Sequence, residues 1–346
     1  MNMEFSVLFS SEIFFGNQPL EILHSLDTSF GSFFLTLSLL AHNLGSSIFF
    51  LSLLAMVYLC FSPQLGSKLA LGLLPAGILN SLVKFIVESP RPMNLSDNLA
   101  HMQSKAGEFS FGFPSGHVHT SIVIWGLIFL SIKNKYVKTF SLIVIIIMPV
   151  SRLYLGVHYL GDVLGSLILG IINLLVLLWF IRKFPDFPSL DLLDESSFSI
   201  QRKTRSLVLM ILAITLSPTL LYHPGLSTPH LASLDIMVSA SAALGGFLVG
   251  SIFMKAFVLP TREIWSSYVE SDSPTLTLFI RLSTLVLMIF LFYLLPSLVL
   301  KGYDFYNHVL VRYLRYFIAG LTIVYLTPLI LFHWKNGLYL RKSLNA

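Results

Sequence analysis

The chain reads as long apolar runs separated by short polar breaks. Between Thr28 and Phe61 the apolar run is longer than one membrane crossing requires, and Asn43-Leu44-Gly45 interrupts it. A crossing takes about 20 apolar residues, so this pattern predicts an interfacial or short helix over Pro19–His42 and a first full span over Ser46–Phe61. The next run, Leu69–Val87, is closed by Glu88-Ser89-Pro90-Arg91-Pro92, where two prolines forbid further helix. A polar loop reaches Phe113. Spans are then predicted at Ser115–Ile132, at Thr139–Ser151 with its flanks, and at His158–Ile181. From Arg182 to Arg205 the composition shifts to acids, two prolines and the cluster Gln201-Arg202-Lys203-Thr204-Arg205, which marks a linker. Four more spans follow, near Leu207–Tyr222, Ala232–Leu259, Leu276–Leu300 and Tyr313–Phe332. The expected fold is all-α: a polytopic transmembrane helical bundle with a core at 1–181, a cytoplasmic linker at 182–205 and a four-helix transmembrane extension at 206–346.

Composition sharpens this picture. Of 346 residues, 55% are hydrophobic and 11% charged, with a mean hydropathy of +0.80. A soluble domain carries about a quarter charged residues, so that class is excluded. The net charge of +5 does not indicate a nucleic-acid partner, because the basic residues lie in small groups between apolar runs and not along one polar face. The single cysteine, Cys60, sits in an apolar run and excludes a disulfide framework. Glu4, Glu12, Glu21 and Asp27 all precede the first Lys or Arg, Lys68, so a cleaved signal peptide is not expected.

Basic residues also set an expected orientation. Lys68, Lys133, Lys135, Lys138, Arg182, Lys183, Arg202, Lys203, Arg205, Lys335, Arg341 and Lys342 fall on one side of the span count, which marks that side as cytoplasmic. The opposite face holds the acidic N-terminus, the loop Glu88–Phe113 and the turn Arg152–Val157. In the second half, Leu207–Ile211 recurs as Leu285–Ile289, with Pro218 and Pro296 at the same offset. Two like-oriented hairpins produce such a pattern, and so do unrelated Leu-rich spans. Gly246 and Gly250 fit a small-residue helix contact.

Three polar segments stand at the ends of spans on that opposite face: Lys84 with Arg91-Pro92, Pro114-Ser115-Gly116-His117, and Ser151-Arg152 with His158 and Asp162. Lys84, Arg91 and Arg152 are three cations whose uncompensated proximity in a membrane is costly unless an anion joins them, and a phosphate satisfies all three. Lys84 and Arg91 are seven apart, a spacing of two helical turns, and the loop that starts at Pro90 is free to tip Arg91 inward. Pro114-Ser115-Gly116 opens a helix whose free amides form an anion cradle, with His117 in the first turn. His158 and Asp162 are spaced one helical turn apart, so the carboxylate orients one imidazole nitrogen and frees the other as a nucleophile. Two histidines at one phosphate divide into nucleophile and general acid. Taken singly, a basic residue at a span end is usually an interface anchor and a lone histidine a buried hydrogen-bonding residue. Co-location of six ionisable groups is what has no cheap structural explanation.

In order and without a substitution, these segments resemble the three-part signature of the type 2 phosphatidic acid phosphatase superfamily. The resemblance covers roughly the first half, to about Ile181. It implies a helical-bundle phosphatase acting on lipid phosphates or pyrophosphates with no metal and no cofactor. His158 would attack phosphorus, Asp162 would orient it, and His117 would protonate the leaving alkoxide and then activate water. Lys84, Arg91, Arg152, Ser115 and the Gly116 amide would hold the phosphoryl oxygens. Expected partners are a lipid phosphate substrate and membrane lipids, with oligomeric state left open. The same residues would serve phosphoryl transfer to a lipid or sugar acceptor, and the extra spans keep a lipid-transport or lipid-binding role in view. His119 should face away from His117 and either pack or support the site from behind. His101 and Glu108 read as solvated loop residues.

Overall fold

The computed structural model describes residues 12–25, 31–184, 197–254 and 274–331, and among these the regular structure is helical, with no strand. After a single turn at Glu12–Phe15, the helices are α1 Gln18–Ser25, α2 Gly31–Leu44, α3 Ser47–Met56, α4 Pro63–Val87, α5 Asp97–Ala106, α6 Gly116–Ser131, α7 Lys135–Tyr154 and α8 Leu160–Lys183. They continue as α9 Ser197–Leu216, α10 Thr228–Phe253, α11 Pro274–Ile289, α12 Leu295–Leu300 and α13 Val309–Leu321. Among the described residues, seven helical stretches are long and apolar enough to cross a membrane: α4, α7, α8, Thr204–Leu221, α10, Leu278–Leu300 and Val309–Leu331. The chain is thus an integral, multi-pass membrane protein, and the last four of these stretches are the expected C-terminal spans. Helix α6 is apolar but shorter, at 16 residues.

Side chains along the spans explain the solvent they require. Ile168, Ile171, Ile172, Leu175, Val176 and Trp179 of α8 all point outward, an apolar surface that hydrocarbon accepts and water does not. Local chemistry sets the helix ends. Asn134 caps α7 by accepting from the amides of Tyr136 at 2.9 Å and Val137 at 3.3 Å. Gly156, at φ +65°, makes the left-handed turn that ends the α7 region.

Several boundaries differ from the sequence reading. Within the stretch expected as one helix over Pro19–His42, the described residues form α1 and α2. Stretches Gly31–Leu44 and Phe49–Phe61 then meet at a 56° bend, where Gly45 and Ser46 break the ladder. Helix α8 begins at Leu160, so His158 precedes it and the His158–Asp162 pair is not a pair within one helix. Arg91, by contrast, lies beyond the end of α4 at Val87, as expected from Pro90 and Pro92, which bar helix there. The loop after Pro92 carries a short helix, α5, that the polar composition did not suggest. Lys335, Arg341 and Lys342, the acidic Glu4, and 185–196 of the linker lie outside the described residues.

The chain divides into two compact units. The first draws on Met1–Leu51, Pro75–Phe180 and His223–Met237; the second on Ser52–Leu74, Ile181–Tyr222 and Val238–Ala346. In the first, glycines let helices cross closely: a Cβ at Gly170 of α8 would stand 3.1 Å from the His119 carbonyl of α6. That crossing sets the start of α6 beside the start of α8. In the second, Gly246 of α10 meets the backbone of Phe317 and Leu321, and Gly320 of α13 meets that of Ala243 and Phe247, so this small-residue face serves helix packing within the chain. Thr215 and Tyr313 share a buried hydroxyl–hydroxyl hydrogen bond of 2.7 Å there.

Candidate functional site

All the polar segments singled out in the sequence lie in the first unit. Lys84, at the end of α4, is buried, and its ammonium donates to the carbonyls of Phe111 and, at 3.1 Å, Gly112. Two of its three N–H groups are thus spent on the loop before Pro114. Arg91 is spread over four acceptors: its Nε donates to the Ser110 carbonyl at 2.6 Å, its Nη1 to the Val157 carbonyl at 2.8 Å, and its Nη2 to Glu108 Oε2 at 2.8 Å and Ser110 Oγ at 3.2 Å. Its Nη1 also faces His158 Nε2 at 3.4 Å.

That last contact decides the state of His158. A guanidinium only donates, so Nε2 presents its lone pair and the ring proton sits on Nδ1, 3.3 Å from Asp162 Oδ2. Asp162 is fixed in turn by the Tyr159 amide, which donates to the same oxygen at 3.0 Å. Burial, then the charges of Arg91 and Lys84, hold the His158 imidazole well below its usual proton affinity. The ring is therefore neutral at neutral pH, with the Nε2 lone pair facing Arg91.

Ser115 is the N-cap residue of α6, yet its hydroxyl makes no capping bond, which is the usual use of serine at that position. Its Oγ is fully buried without a hydrogen-bond partner, as are His117 Nε2 and Arg152 Nη2. Gly116 begins the helix, and a Cβ there would stand 3.3 Å from Asn80 Oδ1. His117 Nδ1 lies 3.2 Å from Glu108 Oε1, and Arg152 Nη1 lies 3.8 Å from the same oxygen. Contacts thus run Asp162–His158–Arg91–Glu108 and on to both His117 and Arg152, and Lys84 is within electrostatic reach of Arg91, Glu108 and Asp162.

Two members of this cluster escaped the sequence reading. Glu108 is not a solvated loop residue: α5 folds the loop back so that its carboxylate inserts between Arg91, His117 and Arg152, with its side chain 16% exposed. Burial alone would raise its pKa, but His117, Arg91, His158 and Arg152 hold it well below the usual carboxylate range. His42, at the end of α2, stacks on His117 with centroids 4.8 Å apart and accepts from Arg152 Nη1 at Nδ1, 2.8 Å away. A lone acid in a polar loop and a lone histidine at a helix end carry no local signal; only the fold brings them here. His101 is exposed, as expected. His119 is fully buried between the amides of Asn80, 3.4 Å away, and Asn173, 3.2 Å away, and packs as anticipated.

His42, Glu108 and His117 offer ligand atoms within 4.8 Å of one another, a spacing that could hold a cation. Arg152 and Arg91 crowd the same carboxylate, so the charge of the pocket favours an anion there over another cation.

The fold and pocket define a multi-pass helical membrane protein with a buried, cationic, two-histidine site at the span ends. Comparison with known proteins bears out the resemblance carried by the motifs: residues 65–186 match the PAP2 superfamily. Phosphatidylglycerophosphatase B of Bacillus subtilis (strain 168) is 32% identical over 119 residues, which make up 32% of this chain and 55% of that protein. The chain thus spans only about half the length of that relative. No solved structure matches the chain.

Proposed function

We propose that the chain is a membrane phosphatase that hydrolyses a lipid phosphate or pyrophosphate through a phosphohistidine intermediate at the non-cytoplasmic face. One observation carries this reading. Ser115 Oγ, His117 Nε2 and Arg152 Nη2 are buried beside one another in sequence or around one carboxylate, and all three lack a hydrogen-bond partner. An unmet buried donor costs about 1–3 kcal/mol, so the Ser115 hydroxyl and the Arg152 Nη2 group, unmet together in a cationic setting, call for an oxyanion with several acceptor oxygens. The PAP2 match and the name of the Bacillus relative supply the same chemistry.

In the proposed reaction, Nε2 of His158 attacks phosphorus while the bond from phosphorus to the lipid oxygen breaks, and Asp162 stabilises the positive charge that develops on the ring. His117 gives its proton to the departing oxygen. Lys84, Arg91, Arg152, the Ser115 hydroxyl and the Gly116 amide hold the three phosphoryl oxygens. Water then attacks the phosphohistidine, His117 takes back a proton, and inorganic phosphate leaves. Glu108 occupies the position an incoming phosphoryl group would claim, so substrate must displace its carboxylate from Arg91. The cluster of basic residues at Lys133–Lys138 and Arg182–Arg205 supports placing the site on the outer face.

The test is phosphate release from a panel of phosphatidate, phosphatidylglycerol phosphate and isoprenyl pyrophosphate in detergent. A labelled, acid-labile adduct should form on the wild type and be lost in His158→Ala. Full activity of His158→Ala would overturn the mechanism, and label passing to a lipid or sugar instead of water would make the protein a phosphotransferase.

A further inference from the structure

The segment Tyr222–Thr228 and the start of α10 belong in sequence to the C-terminal half, beyond the PAP2 match, yet His223–Met237 is part of the first unit. Its inward residue is His230. Both ring nitrogens are tied: Nε2 lies 3.0 Å from Glu88 Oε1, and Nδ1 lies 2.6 Å from Ser227 Oγ. The ring stands perpendicular to two aromatic rings, Phe85 at 5.5 Å and 82° and Phe111 at 4.8 Å and 90°.

These neighbours are not incidental. Phe85 follows Lys84 in α4, and the carbonyl of Phe111 is one of the two acceptors of the Lys84 ammonium. Glu88 sits between Lys84 and Arg91 with φ +53°, a left-handed conformation that a residue with a Cβ adopts only when its surroundings impose it. Its amide donates to the Lys84 carbonyl at 3.0 Å, and Ser89, next along, accepts from the Gly112 amide at 2.8 Å. His230 therefore wedges the helix end that carries Lys84 against the loop that receives it. The Glu88 side chain is 55% exposed, so the ion pair contributes little. Edge-on packing of the two phenylalanine rings is the main contribution.

We propose that His230 is a positioning residue for Lys84, so that the C-terminal half of the chain completes the phosphate cradle of the N-terminal half. This rests on the phosphatase reading above. Removing the ring frees Phe111 and with it the acceptors that aim the ammonium, so the loss should appear in binding of the anion and not in the chemical step.

The experiment compares full-length wild type, His230→Ala, His230→Phe, His230→Gln, Lys84→Ala and the Lys84→Ala/His230→Ala pair in detergent. Lipid phosphate turnover and the dissociation constant of inorganic phosphate are measured for each, and a gel-filtration profile checks folding. His230→Ala and His230→Gln should raise KM and the phosphate Kd about tenfold, with kcat within about threefold of wild type. His230→Phe, which keeps the ring and loses the ion pair, should stay near wild type. In the Lys84→Ala background, adding His230→Ala should change the phosphate Kd less than about twofold, because coupled residues are not additive. Wild-type constants in His230→Ala and His230→Gln, or the full loss persisting without Lys84, overturn the proposal while leaving the phosphatase reading intact. A wild type that binds phosphate without hydrolysing any lipid overturns the phosphatase reading alone, and one that does neither overturns both.

Discussion

Replacing Glu108 by glutamine should make the protein bind phosphate-like anions more tightly. Its carboxylate lies 2.8 Å from Arg91 Nη2, 3.2 Å from His117 Nδ1 and 3.8 Å from Arg152 Nη1. At about 4 Å and an effective dielectric of about 20, the pair with Arg91 or with Arg152 is worth roughly 4 kcal/mol before desolvation. After desolvation, a hydrogen bond to a charged group contributes about 1.5–3 kcal/mol, against about 1 kcal/mol for a neutral amide in the same place. An incoming anion that displaces Glu108 from Arg91 forfeits that difference, about 1.4 kcal/mol, or about a factor of ten in affinity. The assay is competitive inhibition by orthovanadate. Glu108→Gln should lower the inhibition constant about tenfold, and Glu108→Asp should leave it near wild type. The surrounding positive groups hold Glu108 well below the usual carboxylate range. Its ion pairs are therefore fully formed above the unfolded-state carboxylate value and are lost only as pH falls through the depressed native one. The tenfold effect should accordingly be constant from about pH 6 to pH 8. A glutamine variant that binds vanadate no more tightly than wild type would falsify the assignment of Glu108 to the anion position.

Other consequences are checked more simply. Asp162→Asn should lower kcat by about 10²–10⁴-fold with a smaller change in KM, because it removes the group that orients His158 and balances its charge, and steady-state kinetics separate the two. Lys84→Ala should move the acid limb of kcat/KM to higher pH, since Lys84 helps hold the His158 proton affinity down and its removal lets it rise; an unmoved limb would show that the limb does not report His158. Gly112→Ala should reduce phosphate release, because the new Cβ would stand 2.7 Å from the Pro90 carbonyl and 3.0 Å from Asp162 Oδ2, and backbone cannot yield there as a side chain would. Tyr313→Phe should cost about 1 kcal/mol of stability through its bond to Thr215 and leave turnover unchanged, which a thermal unfolding scan beside an activity assay would test.

Much of this protein was legible in one dimension, and the reason is the solvent. Hydrocarbon obliges each crossing segment to satisfy its own backbone hydrogen bonds, so apolar runs near 20 residues announce helices wherever they occur. The same solvent makes charge expensive, so Lys84, Arg91, His117, Arg152, His158 and Asp162 stood out by being there at all. Spacing was less reliable than residue type. His158 with Asp162 was read as a helical offset, yet His158 lies ahead of α8, whereas Arg91 lies past α4 in the loop that the prolines marked. Both residues still reach the pocket because a hydrogen bond can be made from many backbone paths, and at His158 the chain used a turn where the periodicity argument assumed helix.

Only the tertiary structure decided what stands around those residues. Glu108 is separated from Arg91 by α5, His42 comes from a helix before the family match, and His230 comes from after it. None is distinguishable in sequence from a loop acid or a helix-end histidine, because its role depends on which distant groups face it once the chain has closed. Sequence alone therefore determined the membrane, the helices and the charged groups that needed an anion. Folding decided which carboxylate stands beside Arg91, which lone pair His158 presents, and which histidine packs beside the end of α4 that carries Lys84, since each is a relation between side chains 17 to 146 positions apart that no local pattern encodes.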